Sequence, residues 1–407
     1  MGSWKDEQVL IVGGGIGGLT AALALARQGI ASHVIEQAAA FKEIGAGIQL
    51  GPNAFWMLDA LGLVEPINAL AVFPENLVML DSMTGEEVTR IPLGDAFRKK
   101  FHHPYALIHR ADLHNLLLEH CRNSNLIKLD AAQKIVVVDE VNGGVTAKTA
   151  NGKHYRGAAL IGADGLWSTI RQIVVGDGKP KPAGHITYRA VLPAAEIPEQ
   201  YRWWNMGFWA GEKVHFVLYP LRTGELYNLV AVFHSNRYEE GWDSYGDAAE
   251  LHERFAGTCA PVRALLDKIE SWRMWVLCDR PPIKEWSRGR ITLLGDAAHP
   301  MLQYLAQGAC MSIEDAVCLA GKAVEADGDY ASAFRAYQQA RYLRTGRVQI
   351  MARIYGEFYH AGGVAKELRN IMLGARTPED AMGGMEWLYG EQQELTRGGA
   401  RARATAR

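Results

Sequence analysis

The sequence contains no pair of cysteines at a spacing typical of a redox or metal site. Five cysteines are scattered through 407 residues, at positions 121, 259, 278, 310 and 318. An odd number without a CxxC pair argues against a disulfide framework and against a zinc site. We therefore expect free thiols in a reducing cytoplasm and no bound metal.

Long apolar runs and an excess of charge of one sign are also absent. Apolar stretches such as 9–12 and 135–138 have the length of strands, well short of the roughly 18 residues that a membrane-spanning helix needs. No export or lipidation signal is visible, so we expect no membrane span. The formal net charge is −2, which gives no reason to expect nucleic acid as a partner. With 48% hydrophobic and 22% charged residues, the composition predicts a globular protein of two or more structural units.

The most informative segment lies near the start of the sequence. An apolar run at 8–12 predicts a buried strand, 13–18 a tight turn, and 19–28 a helix that ends at Gly29. The turn has the pattern G-x-G-x-x-G. Gly13 would permit the tight turn, Gly15 would let a pyrophosphate approach the backbone, and Gly18 would allow the helix to pack closely on the strand.

An acidic residue stands where this type of turn requires one. A second strand is predicted at 31–36, and Glu36 lies at its end, 18 residues after Gly18. A carboxylate there can accept hydrogen bonds from both hydroxyls of an adenosine ribose. A glycine triplet alone could be a structural turn, but strand, helix and Glu36 in this order predict a dinucleotide site.

Two further turns follow predicted strands. Asp164 lies in Gly162-Ala-Asp-Gly165, and Gly295-Asp296 opens Gly-Asp-Ala-Ala-His-Pro. Either aspartate alone would be interpreted as an ordinary turn residue. With the glycine-rich turn, in this order along the chain, they resemble the flavoprotein aromatic hydroxylases, which are single-component FAD-dependent monooxygenases.

This resemblance implies an α/β fold with discontinuous domains. A Rossmann-like FAD-binding domain is expected at 1–75, 104–178 and 285–340. A mostly antiparallel sheet domain for the substrate, indicated by alternating runs at 214–219 and 226–233 around Thr223-Gly224, is expected at 76–103 and 179–284. A helical C-terminal region at 341–395 and a flexible tail at 396–407 complete the expectation.

The resemblance also assigns the cofactors. Non-covalent FAD would be held by the glycine-rich turn, Glu36, Asp164 and the Gly295-Asp296 pair, with Asp296 on the ribityl chain. Arg110, in His-Arg-Ala-Asp-Leu, would contact the phosphate-ribityl region. NADH would bind transiently, because the sequence shows no second glycine-rich turn for a separate nicotinamide domain.

The substrate site is implied in the same way. A glutamine at position 303 resembles the members of the family that act on 3-hydroxybenzoate, in which a strand histidine, matched by His215, and that glutamine act on the substrate phenol. Tyr219 and Tyr105 match further residues around the ring. Without the resemblance, His215 would be interpreted as an ordinary strand histidine.

The implied reaction is hydroxylation para to the phenol through a flavin C4a-hydroperoxide, with NADH and O2 consumed and gentisate formed. Such an oxidant requires an electron-rich ring, so a base must favour the phenolate. Salicylate 1-hydroxylation with loss of carbon dioxide, hydroxynicotinate hydroxylation, and a flavin-binding regulator without hydroxylase activity are the alternatives.

The partner of the substrate carboxylate is left open by the sequence. An arginine is the usual partner, but Arg189 fits a structural role equally well, and backbone amides or tyrosines could serve. A homodimer is possible, and the sequence offers no evidence on that point.

Overall fold

The computed structural model describes residues 7–43, 45–236, 244–269, 271–391 and 395. The strands are β1 (Val9–Val12), β2 (Ser32–Ile35), β3 (Gly47–Leu50), β4 (Asn76–Asp81), β5 (Glu87–Pro92), β6 (Ala106–His109), β7 (Ile127–Asp130), β8 (Ile135–Val141), β9 (Gly144–Thr149), β10 (His154–Gly157), β11 (Ala159–Gly162), β12 (Lys181–Pro193), β13 (Met206–Gly211), β14 (Val214–Leu221), β15 (Leu226–His234), β16 (Ser244–Tyr245), β17 (Arg273–Asp279), β18 (Ser287–Arg288) and β19 (Ile291–Leu293).

The helices alternate with these strands at first and then dominate the C-terminal third. They are α1 (Ile16–Arg27), α2 (Pro52–Ala60), α3 (Val64–Asn68), α4 (Asp95–Phe101), α5 (Arg110–Arg122), α6 (Thr169–Val174), α7 (Ala248–Phe255), α8 (Ala260–Leu266), α9 (Gly308–Glu325), α10 (Tyr330–Tyr359), α11 (Gly363–Gly374), α12 (Pro378–Gly383) and α13 (Glu386–Tyr389). Within the described residues, none of these helices is both long and apolar enough to cross a membrane.

A six-stranded sheet carries the first half of the fold. Its order is β18-β19-β11-β1-β2-β7, and β11, β1, β2 and β7 pair in parallel. Every residue of β1 and β11 is buried, as expected for strands covered on both faces. Helices α1 and α9 pack together beside this sheet. Because β1, β11 and β19 run parallel, the turns after these strands open at the same edge of the sheet.

An eight-stranded sheet forms the second layer. Its order is β16-β17-β12-β15-β14-β13-β4-β5, and its pairs are antiparallel except β13 with β4. Residues alternate between two faces along each strand. In β14, Phe216 and Leu218 belong to one hydrophobic core, while Val217 and Tyr219 pack in another on the opposite face. That opposite face lies toward the first sheet and the C-terminal helices.

The fold class expected from the sequence is confirmed. The elements foreseen in the first 36 residues are present, although the helix begins at Ile16, three residues earlier than expected. The alternating runs form an antiparallel hairpin, β14–β15. The domain boundaries stay a prediction, and the expected tail at 396–407 lies outside the described residues.

Candidate active site

One cavity joins the two sheets. Its volume is about 920 Å³, and it extends from the turn after β1 to the inner face of the eight-stranded sheet. All the site residues expected from the sequence line it except Gly18, and they are Gly13, Gly15, Glu36, Tyr105, Arg110, Asp164, His215, Tyr219, Gly295, Asp296 and Gln303. The structure therefore brings together residues almost 300 positions apart.

The glycines of the first turn meet three different steric conditions. Gly13 has a φ of 111°, and a Cβ there would lie 2.3 Å from the carbonyl oxygen of Ala163. A Cβ on Gly18 would lie 2.0 Å from the carbonyl oxygen of Gly13. At Gly15 a Cβ would meet only Glu43 Oε1, at 3.5 Å. The first two positions are crowded by protein, whereas Gly15 leaves open the space that a phosphate group would occupy.

Glu36 and Asp164 both hydrogen-bond to nearby parts of the chain. The Glu36 carboxylate accepts from the amides of Gly14, at 2.6 Å, and Ala38, at 2.7 Å. It thereby ties the end of β2 to the glycine turn. Asp164 accepts from Ser168 Oγ at 2.5 Å and from the amide of Ile170 at 3.1 Å. Burial raises the pKa of the Asp164 carboxyl.

The turn after β19 is held by a group of buried charges that we call the ion network. The amide of Gly295 donates to Asp315 Oδ2 at 3.0 Å, and His299 Nε2 lies 2.6 Å from the same oxygen. Arg341 Nε donates to Asp315 Oδ1 at 2.7 Å. The network comprises His299, Glu314, Asp315, Arg341 and Arg344, with Asn53 bonded to Glu314.

Asp296 differs from its neighbours in this turn. Its side chain opens onto the cavity and accepts no hydrogen bond from the residues that the structure describes. Burial of the site nevertheless raises the pKa of this carboxyl. Arg110, across the cavity, forms an ion pair with Glu43 (Nε to Oε2, 2.9 Å). Asp296 is thus a carboxyl exposed to the cavity and open to hydrogen bonds from a bound molecule.

The inner face of the eight-stranded sheet supplies the other end of the cavity. His215, Val217 and Tyr219 alternate along β14 and all line it. Burial lowers the pKa of His215 to about 3 and raises that of Tyr219 to about 12. Both side chains are therefore neutral at pH 7, and His215 is a hydrogen-bond acceptor as well as a donor.

The two tyrosines expected at the substrate ring meet at Gln49. Tyr105 donates its hydroxyl hydrogen to Gln49 Oε1, and Gln49 also contributes a hydrogen bond to Tyr219. A Cβ on Gly47 would lie 2.6 Å from the hydroxyl of Tyr219. The absence of a side chain at Gly47 therefore makes room for that tyrosine.

Gln303 is oriented by an arginine. Arg189 Nη2 donates to Gln303 Oε1 at 2.6 Å, and Gln303 Nε2 donates one hydrogen to Thr187 Oγ1 at 3.4 Å. The second amide hydrogen of Gln303 is therefore the one able to donate into the cavity. Arg189 forms no ion pair with any residue of the described ranges, and its Nε has no hydrogen-bond partner there. Burial lowers the pKa of this arginine. A cavity-lining cation without a carboxylate partner is a ready binding site for an anion.

A second buried group lies behind His215, and we call it the histidine cluster: His185, His215, His234 and His360. His215 Nδ1 lies 2.7 Å from His360 Nε2, and His360 Nδ1 lies 2.9 Å from His234 Nε2. His185 Nδ1 lies 2.6 Å from the hydroxyl oxygen of Tyr304. Of the four histidines, only His215 lines the cavity.

Sequence reasoning left Arg189 undecided and did not find His360, His234 or Tyr304. Side chains alternate between the two faces of β12, so Arg189 lies on the same face as Thr187. This alternation could have indicated from the sequence that Arg189 faces the cavity. His360 follows the last residue of a 30-residue helix. Nothing in the local sequence indicates that this position reaches a strand 145 residues away.

The cavity fits a flavin dinucleotide. Gly15 offers open space beside the N-terminus of α1 for a pyrophosphate, and Glu36 lies at the end of β2, where an adenosine ribose would bind. Asp296 is an exposed acceptor in the cavity for a hydroxylated chain. Beyond Asp296 the cavity continues to His215 and Arg189. The class defined by this fold and site is a nucleotide-binding protein with a second compartment for a small polar ligand.

Comparisons with known proteins place the chain within that class. Residues 6–347 match the family model described as FAD binding domain. The chain is 46% identical over 387 residues to 3-hydroxybenzoate 6-hydroxylase 1 of Aquipseudomonas alcaligenes, covering 95% of this chain and 98% of that protein. It is 46% identical over 386 residues to 3-hydroxybenzoate 6-hydroxylase of Polaromonas naphthalenivorans, covering 95% and 96%.

A solved structure agrees with the sequence relatives. Klebsiella pneumoniae HpxO complexed with FAD and uric acid superposes with a TM-score of 0.82 at 26% identity, covering 95% of this chain and 98% of that one. The chain therefore belongs to the FAD-binding-domain family and, within it, to the FAD-dependent aromatic hydroxylases, as its three motifs indicated. FAD is its cofactor, and it is an oxidoreductase.

Proposed function

We propose that this protein hydroxylates 3-hydroxybenzoate at the carbon para to the phenol, giving gentisate and consuming NADH and O2. The observation that carries the proposal is the presence on one face of one cavity of a neutral base, His215, and of a cation with no carboxylate partner among the described residues, Arg189. The base suits a phenol that must ionise, and the cation suits a carboxylate that must be bound.

The bound flavin supplies the reduction of O2 and the transfer of one oxygen atom. The residues proposed to hold it are the turn of Gly13, Gly15 and Gly18, with Glu36, Arg110, Asp164, Gly295 and Asp296. The open space at Gly15 and the carboxyl of Asp296, which is exposed to the cavity, support this assignment. Glu36 would face the adenosine ribose, and Arg110 the region of the phosphates.

His215 and Gln303 act on the substrate hydroxyl in this proposal. A free phenol titrates near 10, as tyrosine does, so the enzyme must favour the phenolate. Nε2 of His215 is the nitrogen left to accept the proton, because Nδ1 is engaged with His360. Gln303, whose oxygen is held by Arg189 and whose Nε2 also donates to Thr187, directs its remaining amide hydrogen toward the anionic oxygen and fixes the ring.

Arg189 is proposed to bind the substrate carboxylate. His215 and Thr187 are aligned through Val232 in the sheet register, and Arg189 is the next residue on the same face of β12. Two strand spacings of about 4.8 Å separate β12 from β14, so one aromatic ring fits between the two side chains. Tyr219 and Tyr105, both neutral, line the wall beside that ring.

Product identification tests the proposal. We expect purified holoenzyme to form gentisate from 3-hydroxybenzoate, with one NADH oxidised for each product molecule. 3-Methoxybenzoate, which cannot ionise, and 3-hydroxybenzyl alcohol, which has no carboxylate, are matched controls and should give little product. Release of carbon dioxide from salicylate would favour decarboxylating 1-hydroxylation instead. Hydrogen peroxide as the sole product with every phenol would contradict the proposal.

We also propose that two copies associate through the outer faces of α10 and α11. Both helices expose apolar side chains along one stripe, at Leu343, Ile350 and Ile354 on the first and at Val364, Leu368, Ile371 and Met372 on the second. Exposed apolar stripes of this kind mark interaction surfaces. Sedimentation should give a dimer for the natural chain and a monomer for Ile354→Glu. A natural chain that sediments as a monomer would contradict the proposal.

The proposed compartment is the cytoplasm. The five cysteines are buried and none of them forms a disulfide, and burial raises the pKa of Cys121 to about 12. Unpaired thiols persist where disulfides are kept reduced. Fractionation of cells that express the chain should recover it with cytoplasmic enzymes, and recovery from the periplasm would contradict this assignment.

A further inference from the structure

The histidine cluster forms a line of imidazoles that leads from the cavity to a partly exposed position. His215 faces the cavity, while His360 lies behind it with only 5% of its surface exposed. His234 is the third in the line and is more exposed than the other two. The contacts of 2.7 and 2.9 Å are hydrogen bonds, and each uses one nitrogen of each ring.

We propose that His215, His360 and His234 form a proton relay that carries the phenol proton out of the active site. The inference rests on the proposed function, since it requires a phenol that ionises at His215. It assigns a role to His360 and His234, neither of which contacts the cavity.

The need for a relay arises at His215, whose buried position opposes a positive charge on its imidazole. A base in the cavity has to take up a proton, yet desolvation by burial opposes a charged imidazole there. His185 and His234 add to this opposition if they are charged. A proton accepted by His215 therefore has to leave at once by its other nitrogen, and that nitrogen is hydrogen-bonded to His360.

The transfer balances without any other reactant. The phenol O–H bond breaks as Nε2–H of His215 forms. Nδ1–H of His215 breaks as Nε2–H of His360 forms, and Nδ1–H of His360 breaks as Nε2–H of His234 forms. His234 releases its Nδ1 proton to water. One phenolate and one hydrated proton result. When a proton returns along the same line, Nε2 of His215 gives its proton to the phenolic oxygen of the product, and the three tautomers are reset.

The backbone holds the relay in register. The carbonyl oxygen of His360 accepts from the amide of Lys213 at 3.1 Å, and the amide of His234 donates to the carbonyl oxygen of Lys213 at 3.0 Å. The groups facing the line from neighbouring elements are His185 and Tyr304, bonded to each other, with Lys213, Glu357 and Arg369 farther along. Glu357 favours a proton at His234, the outer end, and Lys213 opposes it.

The test is the rate of phenolate formation when 3-hydroxybenzoate is mixed with oxidised holoenzyme. Stopped-flow absorbance would follow the phenolate, and a pH-indicator dye would follow the proton in weak buffer. Gentisate formation by the natural enzyme is measured first, because its absence would overturn the proposed function and the relay with it. Where the natural enzyme works and the variants behave like it, the relay alone is wrong.

We expect His360→Ala to slow phenolate formation at least tenfold while FAD stays bound. The variant's rate should rise with pH, because hydroxide then replaces the missing ring, and free imidazole should restore it by filling the space. His360→Phe, which leaves no such space, should not respond to imidazole. A slow His360→Ala with neither a pH response nor rescue would show a purely structural role and overturn the relay.

Two further variants keep the test decisive. His185→Asn is the matched control: His185 belongs to the same cluster but lies off the line, and its variant should keep the natural rate. If His360→Ala does not fold, His234→Gln, at the outer end, should slow proton release to the dye. An unchanged rate in that variant would contradict the relay. Stoichiometric metal bound by His185, His234 and His360, whose nitrogens lie close enough to share an ion, would also overturn it.

Discussion

The ion network and the histidine cluster are two largely buried polar groups beside one cavity, and each compensates the cost of burial in a different way. In the ion network, Arg341 pairs with Asp315 at 2.7 Å and with Glu314 at 2.6 Å, and all three are fully buried. In the histidine cluster, rings contact rings, and no carboxylate of the described residues hydrogen-bonds to them. The first group is charged and paired, and the second is neutral.

The difference in charge between the two groups determines what each can contribute to the site. Burial alone would raise the pKa of Asp315, but His299 and Arg341 together hold it below its usual range. Ions paired in this way lock a geometry, here the Gly295 turn, because separating them leaves an uncompensated charge. Neutral imidazoles carry no such penalty, and each ring can take up a proton on one nitrogen and release it from the other. In the proposed function, the paired charges hold the turn at the cofactor, and the neutral imidazoles carry the phenol proton away from the substrate.

The largest expected effect is a loss in the free energy of unfolding when the ion network is broken. Arg341→Met leaves Glu314 and Asp315 without one shared partner, and removing one member of a buried ion pair costs about 3–5 kcal/mol. Urea unfolding of the holoenzyme should show that loss in the free energy of unfolding. Arg335→Met, on the exposed side of the same helix, is the control and should stay within about 0.5 kcal/mol. Similar stability for both variants would contradict the structural role of the network.

The second prediction concerns His215, the member of the histidine cluster that lines the cavity. His215→Ala should retain FAD and lose about 100-fold or more of its rate of coupled hydroxylation, the contribution typical of a positioned base. Its loss of stability should be smaller than that of Arg341→Met, because no ion is left unpaired. Product yield per NADH and flavin content are the measurements, with His154→Ala, on an exposed strand, as the control. Full coupling in His215→Ala would refute the base assignment.

Some residues of the site were predictable from the sequence, and others became visible only in the structure. The glycine turn and Glu36 were predictable because local rules of strand, turn and helix fix their positions. Asp296, His215 and Gln303 needed the family resemblance. The partner of Arg189 and the reach of His360 were not predictable, because they depend on sheet register and on where α10 ends. Contacts between residues 114 or 145 positions apart leave no periodic trace in the sequence.

The third prediction concerns the pH range in which each group loses its contribution to the free energy of unfolding. Burial lowers the pKa of His215 to about 3 and of His185 to about 4, and it also lowers that of His360. Below the ordinary value near 6.5, the unfolded chain binds protons that the folded chain does not, so stability is complete above that pH and is lost as pH falls. Asp315 has a lowered pKa, so its contribution is lost only below about 4.

Between pH 7 and 5 the histidine cluster should therefore dominate the difference between variants. A buried histidine that stays neutral costs about 2 kcal/mol over this interval. His360→Phe should reduce the pH-dependent loss of unfolding free energy by about that amount, whereas Arg341→Met should shift the whole profile and leave its slope unchanged. Parallel profiles for His360→Phe and the natural enzyme would contradict the assignment of a neutral buried His360.

The smallest expected effect compares two arginines. Arg341 has two buried carboxylates, and Arg189 has none among the described residues, only the oxygen of Gln303 and the ring of Trp275. If Arg189 awaits the substrate carboxylate, Arg189→Met should raise the KM for 3-hydroxybenzoate about tenfold, equivalent to about 1.4 kcal/mol, without the loss of stability expected of Arg341→Met. The KM for 3-hydroxybenzyl alcohol should change much less, because that compound has no carboxylate to lose. Equal changes for both compounds would assign Arg189 to the orientation of Gln303 alone.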